Sequence, residues 1–215
     1  MTDFYSRDRI IFFIDSPISH ETIKTLSMKG GFNIVGVVST EPNIEDIKKE
    51  LDKRCIPTFF WKTIEEESND GFLGEWLFQK KADVFCFMDW RQKQLPKDFF
   101  KYAKKNSIKI ETCLVPVLYD VEDTIHQAIW RNYKVTGLTA LLMNYNGTEE
   151  ERIISNKKIN IKKKETEEEL YKRMSRSCVE FSFNILSTVC FETQWKNYLL
   201  NVPSFEQYPE VVTEE

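Results

Sequence analysis

The sequence has few of the features that mark membrane, secreted or nucleic-acid-binding proteins. No apolar run approaches the about 20 residues that a membrane-spanning helix needs, so we expect no membrane segment. Met1 to Arg9 is polar and lacks the pattern of a signal peptide. Lysine and arginine number 30 against 34 aspartate and glutamate, and this balance predicts no nucleic-acid partner.

Cysteine and histidine are also scarce. The five cysteines show no C-x-x-C spacing and there are two histidines, so we expect no metal site. An odd number of cysteines, three of them within apolar stretches, is typical of free thiols in a reducing compartment. The sequence therefore predicts a cytoplasmic protein without disulfides.

The composition that remains is that of a globular chain. Hydrophobic residues make up 41% of the sequence and 16 of them are Phe, which is enough for one buried core. No linker or repeat divides the chain. We expect a single domain over residues 1–200 and an acidic, flexible tail over residues 201–215.

Apolar runs and amphipathic segments alternate in the first half of the chain. The continuous apolar run Arg9–Ile14 is typical of a strand buried on both faces. Four further strands are predicted at 33–38, 57–61, 82–88 and 107–111, with helices at 19–29, after 42, around 72–77 and from 96. Ser19 is the predicted cap of the first of these helices, and Phe72 is predicted to face the core. This alternation predicts an α/β fold with a mostly parallel twisted sheet and helices on both faces. Ligands of such sheets bind at the carboxyl ends of the strands.

The pattern changes after Pro116. A helix over 121–132 precedes a strand over 135–143, and residues 152–161 alternate apolar and polar as an antiparallel partner would. A long amphipathic helix is predicted from about residue 165. We therefore expect antiparallel strands toward the C-terminal half.

Six short motifs occur in a fixed order between residues 82 and 170. They are A-D-V-F-C-F-M-D-W-R-Q-K-Q-L-P (82–96), I-E-T-C-L-V-P (110–116), H-Q-A-I (126–129), V-T-G-L-T (135–139), R-I-I (152–154) and E-T-E-E-E-L (165–170). In this order they resemble the folate-dependent formyltransferases of the glycinamide-ribonucleotide and sugar N-formyltransferase type. The resemblance implies a formyltransferase-like, Rossmann-type fold and transfer of a formyl group from formyl-tetrahydrofolate to an amine.

The resemblance also implies where the site residues lie. The family's catalytic Asn, His and Asp fall on Lys109, Glu111 and Thr148, so all three are substituted here. The family's folate-binding turn corresponds to a set of residues after the fourth strand, namely Met88, Asp89, Trp90, Arg91 and Leu95.

Two interpretations of Lys109 and Glu111 follow from their chemistry. Residues two apart on a strand point to the same face, so an ammonium and a carboxylate would be neighbours. In the first interpretation Lys109 donates to a developing oxyanion and Glu111 acts as a base. In the second they form a structural ion pair, in which the ammonium lowers the pKa of the Glu111 carboxyl and weakens it as a base.

The first strand–helix turn, Asp15 to His20, lacks the glycines of a phosphate-binding turn, and Pro17 removes a backbone donor. This disfavours a ribonucleotide acceptor and leaves a nucleotide amino-sugar as the preferred small-molecule amine. Three hypotheses remain: a formyltransferase with a remodelled site, a catalytically inactive relative that binds a ligand or partner, and a scaffold. The scaffold would form a homodimer through the aromatic segment Phe191 to Tyr208.

Overall fold

The computed structural model describes residues 8–40, 45–62, 70–90, 96–105, 107–118, 121, 123–143 and 152–191. Within these residues strands and helices alternate as far as β5. The strands are β1 (Arg9–Ile14), β2 (Asn33–Ser39), β3 (Thr58–Phe60), β4 (Val84–Met88), β5 (Ser107–Glu111), β6 (Val135–Met143) and β7 (Arg152–Asn160). The helices are α1 (Pro17–Lys29), α2 (Glu45–Asp52), α3 (Asp70–Lys80), α4 (Thr124–Trp130) and α5 (Glu167–Phe191), with a 3-10 helix at Lys97–Tyr102.

The seven strands form one sheet in the order β3-β2-β1-β4-β5-β6-β7. The pairs from β3 to β5 are parallel, whereas β5–β6 and β6–β7 are antiparallel. The predicted fold class is confirmed, including the antiparallel strands toward the C-terminal half. We call the end of the sheet where β1 to β5 finish the carboxyl edge, and the opposite end the amino edge.

Both faces of β1 are buried, because its alternate side chains enter two different cores. Ile10, Phe12 and Ile14 pack into a first core with α1, α2 and α5. Ile11 and Phe13 pack into a second core with α3 and the 3-10 helix. This two-sided burial explains why the strand is a continuous apolar run rather than an alternating one.

Three local predictions differ from the structure. The N-cap of α1 is Ser16 rather than Ser19, because the two serines form a reciprocal capping box. The helix predicted from Pro96 is the 3-10 helix Lys97–Tyr102. Phe72 was predicted in the core, but its side chain is 73% exposed, since it lies on the outer face of α3.

Hydrogen bonds around a buried carboxylate connect the start of α5 to the end of β7. Arg173 Nη1 donates to both Glu165 oxygens at 2.6 and 2.8 Å, and its Nη2 donates to the carbonyl of Asn160 at 2.8 Å. From there α5 runs toward the amino edge, where Phe183 packs edge-on against Phe32 just before β2. Of the helices described, none combines the length and apolar character needed to cross a membrane.

Candidate functional site

The carboxyl edge beside β1 and β4 is where this topology places a ligand. β1 pairs with β2 on one side and with β4 on the other, and the helices that follow β1 and β3 cover opposite faces. Ligands of α/β sheets bind beside such a reversal of strand order. Asp15 follows β1, Asp89 follows β4 and Glu111 ends β5, so three carboxylates mark this edge.

Lys109 and Glu111 form a closed ion pair on β5. The distance from Lys109 Nζ to Glu111 Oε1 is 2.7 Å, and the side chains are 11% and 4% exposed. In the sheet Lys109 lies between Phe87 of β4 and Leu141 of β6. Such apolar neighbours make each charge costly to bury unless the other compensates it. The structure thus brings the two residues together in the arrangement of the ion-pair interpretation.

This pairing limits the chemistry that the two side chains can perform. A protonated lysine has no lone pair, so Lys109 can donate a hydrogen bond but cannot accept a proton. Glu111 Oε1 is engaged by this ammonium at 2.7 Å, so a proton taken from a substrate would have to displace that contact. The two side chains form an ion pair without net charge, and this is not a base that is poised to accept a proton.

Three of the predicted site residues fall outside the described part of the chain. They are Thr148, at the third catalytic position, and Arg91 and Leu95 of the cofactor turn. Their assignment stays a prediction.

Asp89 shapes the turn after β4. Its backbone lies in the left-handed region with φ of 51°, and its N–H donates to the Ile110 carbonyl at 2.7 Å. Its buried Oδ1 accepts a hydrogen bond from Thr112 Oγ1 at 2.8 Å. Asp89 therefore links the carboxyl ends of β4 and β5 through both backbone and side chain.

The side chains of Met88 and Trp90 pack on opposite faces of the sheet. Met88 is buried in the first core. Trp90 stacks on Trp61, with ring centroids 5.8 Å apart, and meets the ring of Phe13 edge-on at 5.5 Å. The Trp90 Nε1 atom is buried and has no hydrogen-bond partner among the residues that the structure describes. Buried indole N–H groups usually find an acceptor, so this donor is an exception to the common pattern.

A set of buried threonines stabilises the chain after β5, and the sequence analysis did not identify it. Thr124 Oγ1 donates to the Thr112 carbonyl at 3.0 Å and lies 3.1 Å from Thr112 Oγ1. Thr139 Oγ1 donates to the Cys113 carbonyl at 2.8 Å and accepts from the Val115 N–H at 3.1 Å. The only sequence signal for this set was the presence of threonines within apolar stretches.

The first strand–helix turn is closed to anions by its own hydrogen bonds. The N–H groups of Ser16, Ser19 and His20 donate within the turn to Ser19 Oγ, Ser16 Oγ and the Ser16 carbonyl. Asp15, which is buried, accepts from the Thr40 hydroxyl at 2.5 Å and from the Thr40 N–H at 3.2 Å. A carboxylate therefore lies where a helix N-terminus would otherwise attract a phosphate.

His126 has a structural role. Its Nδ1 lies 2.8 Å from Glu167 Oε1, which joins α4 to the start of α5 at the surface. Among the described residues no cluster of His, Cys, Asp and Glu is suited to hold a metal ion.

Solved structures with this fold include two glycinamide ribonucleotide formyltransferases and a formyltetrahydrofolate deformylase. Glycinamide ribonucleotide transformylase 1 from Geobacillus kaustophilus superposes with a TM-score of 0.71 at 17% identity, over 85% of this chain and 98% of that one. Phosphoribosylglycinamide formyltransferase from Bacillus halodurans gives 0.66 at 21% identity, over 86% and 100%. A formyltetrahydrofolate deformylase from Pseudomonas syringae pv. tomato gives 0.64 at 18% identity, over 83% and 60%. At these identities the similarity establishes the fold, which is that of the formyltransferases.

The family follows from the sequence match. The formyl transferase family model matches residues 8–183, which include every described strand and most of α5. This chain belongs to the formyl transferase family. No curated protein matches it.

Proposed function

We propose that this protein binds a folate-type one-carbon ligand at its carboxyl edge and does not carry out the proton transfers of amine formylation. Membership of the formyl transferase family supports the ligand class. So do the names of the similar structures, since one of those enzymes is a formyltetrahydrofolate deformylase. The inactive character of the site rests on Lys109 and Glu111.

The observation that carries this proposal is the closed ion pair. By resemblance, Lys109 and Glu111 stand at the positions of the family's catalytic Asn and His. A general base must hold a free lone pair and have a pKa matched to its task. The Glu111 carboxylate instead lies 2.7 Å from the Lys109 ammonium, and both side chains are buried. Opening the pair to release a base would leave a buried charge without its partner.

The turn after β4 supports binding of the ligand. Trp90 Nε1 is a buried donor without an acceptor in the described part of the chain, and leaving such a donor unsatisfied costs about 1–3 kcal/mol. A pteridine carries carbonyl and ring-nitrogen acceptors of the kind this donor needs. Met88, Asp89, Trp90, Arg91 and Leu95 are the residues that we assign to this contact.

A second candidate is formyl transfer to the amine of a nucleotide amino-sugar through a remodelled site. The self-capped first turn favours this acceptor over a ribonucleotide, because Asp15 and the bonded N–H groups oppose phosphate there. In this case Lys109 would donate to the oxyanion and Glu111, with Thr148, would complete the site. The two candidates differ in one measurable property, which is turnover.

Calorimetric titration of the full chain with folinic acid, a stable folate analogue, tests the ligand. We expect a dissociation constant on the order of micromolar. A Trp90→Phe variant, which keeps the ring but removes the N–H, should bind about tenfold more weakly if this donor meets the ligand. Absence of heat at millimolar folinic acid would contradict the proposal.

Release of tetrahydrofolate from formyl-tetrahydrofolate, measured with and without nucleotide amino-sugars, tests the inactive character of the site. We expect no turnover by the wild type. The triple variant Lys109→Asn, Glu111→His, Thr148→Asp restores the family's residues. It tests whether this chain transfers or releases the formyl group when those residues are present. Wild-type turnover that is lost in Lys109→Ala and Glu111→Ala would instead establish the remodelled transferase.

A further inference from the structure

Trp61 and Trp90 meet at the carboxyl edge although they follow strands that are not neighbours. Trp61 comes directly after β3 and Trp90 comes two residues after β4, whereas β2 and β1 lie between these strands in the sheet. The two indole rings stack with an angle of 2° between their planes and with centroids 5.8 Å apart. Their contact therefore joins two turns of the carboxyl edge that the backbone keeps apart.

Trp61 is held by hydrogen bonds of both its backbone and its ring. Its N–H donates to the Ser39 carbonyl at 2.9 Å, which continues the pairing of β3 with β2. Its Nε1 donates to Asp70 Oδ1 at 2.6 Å. Asp70 is the first residue of α3, where the helix dipole favours a carboxylate. A carboxylate acceptor makes such a hydrogen bond short and directional, so rotation of the Trp61 ring is restricted.

The Trp90 ring is enclosed by other aromatic rings, but its N–H is not satisfied. Phe13 and Phe87 meet this ring at steep angles of 82° and 68°, with centroids 5.5 and 6.2 Å away. Trp90 Nε1 is buried and finds no acceptor within the ranges that the structure describes. A donor in this state gains by turning toward any acceptor in reach, because leaving it unsatisfied is costly. The parallel contact with Trp61 opposes such a turn.

We propose that Trp61 and Asp70 are positioning residues for the ligand contact of Trp90. Asp70 fixes the Trp61 ring, and the Trp61 ring fixes the direction of the Trp90 N–H. Trp90 is 5% exposed, so little of its ring surface is left for stacking, and the ligand meets its N–H edge and not its face. This inference rests on the proposed function, because it takes the acceptor to be a carbonyl oxygen or ring nitrogen of the folate-type ligand.

A double-mutant cycle on ligand affinity tests whether Trp61 acts through Trp90. Trp61→Phe keeps an aromatic ring and removes the N–H that Asp70 accepts. In calorimetric titrations we expect it to weaken binding of folinic acid about fivefold in the wild type and less than about twofold in Trp90→Phe. Trp76→Phe is the matched control, because Trp76 is a half-buried tryptophan of the same aromatic core that packs on Phe59, and it should leave the affinity unchanged.

Variants of Asp70 make the same test without changing the buried rings. Asp70→Ala removes the acceptor from a half-buried position at the start of α3, and it should weaken binding as Trp61→Phe does. Asp70→Asn keeps an acceptor oxygen and should bind folinic acid within about twofold of the wild type. Equal losses of affinity with and without the Trp90 N–H, or no loss in Trp61→Phe and Asp70→Ala, would overturn the proposal.

A spectroscopic readout separates this inference from the proposed function, because it needs no ligand. The indole N–H resonance of Trp90 in a proton–nitrogen correlation spectrum is assigned by its loss in Trp90→Phe. We expect Asp70→Ala to shift or split this resonance through Trp61, and Trp76→Phe to leave it in place. An unchanged resonance in Asp70→Ala contradicts the positioning whether or not folinic acid binds. A resonance that responds in a protein that does not bind folinic acid contradicts the proposed function and leaves the positioning of Trp90 intact.

Discussion

Lys109 and Glu111 illustrate how two buried charges depend on one another. Neither side chain is more than 11% exposed, and the residues of β4 and β6 beside Lys109 are Phe87 and Leu141. Removing one charge takes a close opposite charge away from a buried group, which typically costs more than the pair itself contributes. The stability of this part of the sheet is therefore sensitive to single changes and tolerant of a paired one.

A double-mutant cycle on this pair gives the first prediction. Lys109→Met and Glu111→Leu should each lower the free energy of unfolding by about 3–5 kcal/mol, because each removes one half of a buried ion pair. The double variant should recover most of this loss. Urea unfolding monitored by circular dichroism gives the free energy of unfolding of the wild type and of the three variants.

An exposed ion pair provides the control for this cycle. Lys172 and Glu168 form an i, i+4 pair on the surface of α5, with side chains 61% and 77% exposed. The corresponding cycle with Lys172→Met and Glu168→Leu should give a coupling of about 0.5 kcal/mol or less. Equal coupling in the two cycles would mean that burial does not govern the Lys109–Glu111 pair.

At the scale of elements, Gly137 allows β6 to approach both β7 and the turn after β5. A β-carbon at this position would lie 2.2 Å from the carbonyl oxygen of Lys157 and 2.6 Å from Leu114 Cδ2. The first of these atoms belongs to the backbone, so β7 itself would have to move. The glycine in the V-T-G-L-T motif is therefore required by strand packing.

Gly137→Ala should destabilise the protein by about 3 kcal/mol or more, because a backbone atom cannot rotate away from the added methyl group. Gly36→Ala should cost about 1–2 kcal/mol, since the obstructing atom, 2.4 Å away, belongs to the half-buried Trp76 side chain. Gly71→Ala meets nothing within 4 Å and should be neutral or slightly stabilising. Chemical unfolding ranks the three variants by their free energy of unfolding. An unchanged free energy for Gly137→Ala would contradict the close packing of β6 against β7.

The elements themselves were predicted well where one physical signal dominated. β1 and β5 have the predicted limits. For β1 the signal is a continuous apolar run that a polar residue ends, as in a strand buried on both faces. The exposure of Phe72 was not predictable, because α3 is apolar around most of its circumference and its helical period does not identify the buried side. Ser16 and Ser19 are both suitable caps, and only the backbone geometry decides between them.

At the scale of the whole molecule, local patterns predicted one contact of the candidate site but not the contacts between distant segments. The spacing of two residues on a strand predicted that Lys109 and Glu111 would be neighbours, and their Nζ–Oε1 distance is 2.7 Å. The threonine contacts join residues 12 to 26 positions apart, and Asp89 joins Thr112 across 23 positions. Such contacts depend on the topology of the sheet, which local patterns in the sequence do not contain.

The thiols provide a prediction about global unfolding. Cys86 on β4 and Cys178 on α5 are buried in the same first core, whereas Cys55 is exposed. Burial raises the pKa of the Cys86 thiol well above its usual range and raises the pKa of Cys178 to about 11. At pH 8 only about one Cys178 thiol in a thousand would be the reactive thiolate, even if reagent could enter.

With N-ethylmaleimide at pH 8, we therefore expect Cys55 to react rapidly and Cys86 and Cys178 to react slowly with a common rate set by unfolding. Peptide mass spectrometry resolves the three sites. Labelling of Cys178 well before Cys86 would show that α5 opens independently of the sheet.

The Lys109–Glu111 pair also has a consequence for how this sequence can change over time. If the ancestral residues were the neutral Asn and His of the family, one charge had to enter the interior before the other could compensate it, or both had to change together. The same barrier opposes reversal, because restoring either residue alone isolates the remaining charge at a cost of about 3–5 kcal/mol. The total free energy of unfolding of a domain is about 5–15 kcal/mol, so one such step would remove a large part of it. The buried pair is therefore easier to preserve than to undo.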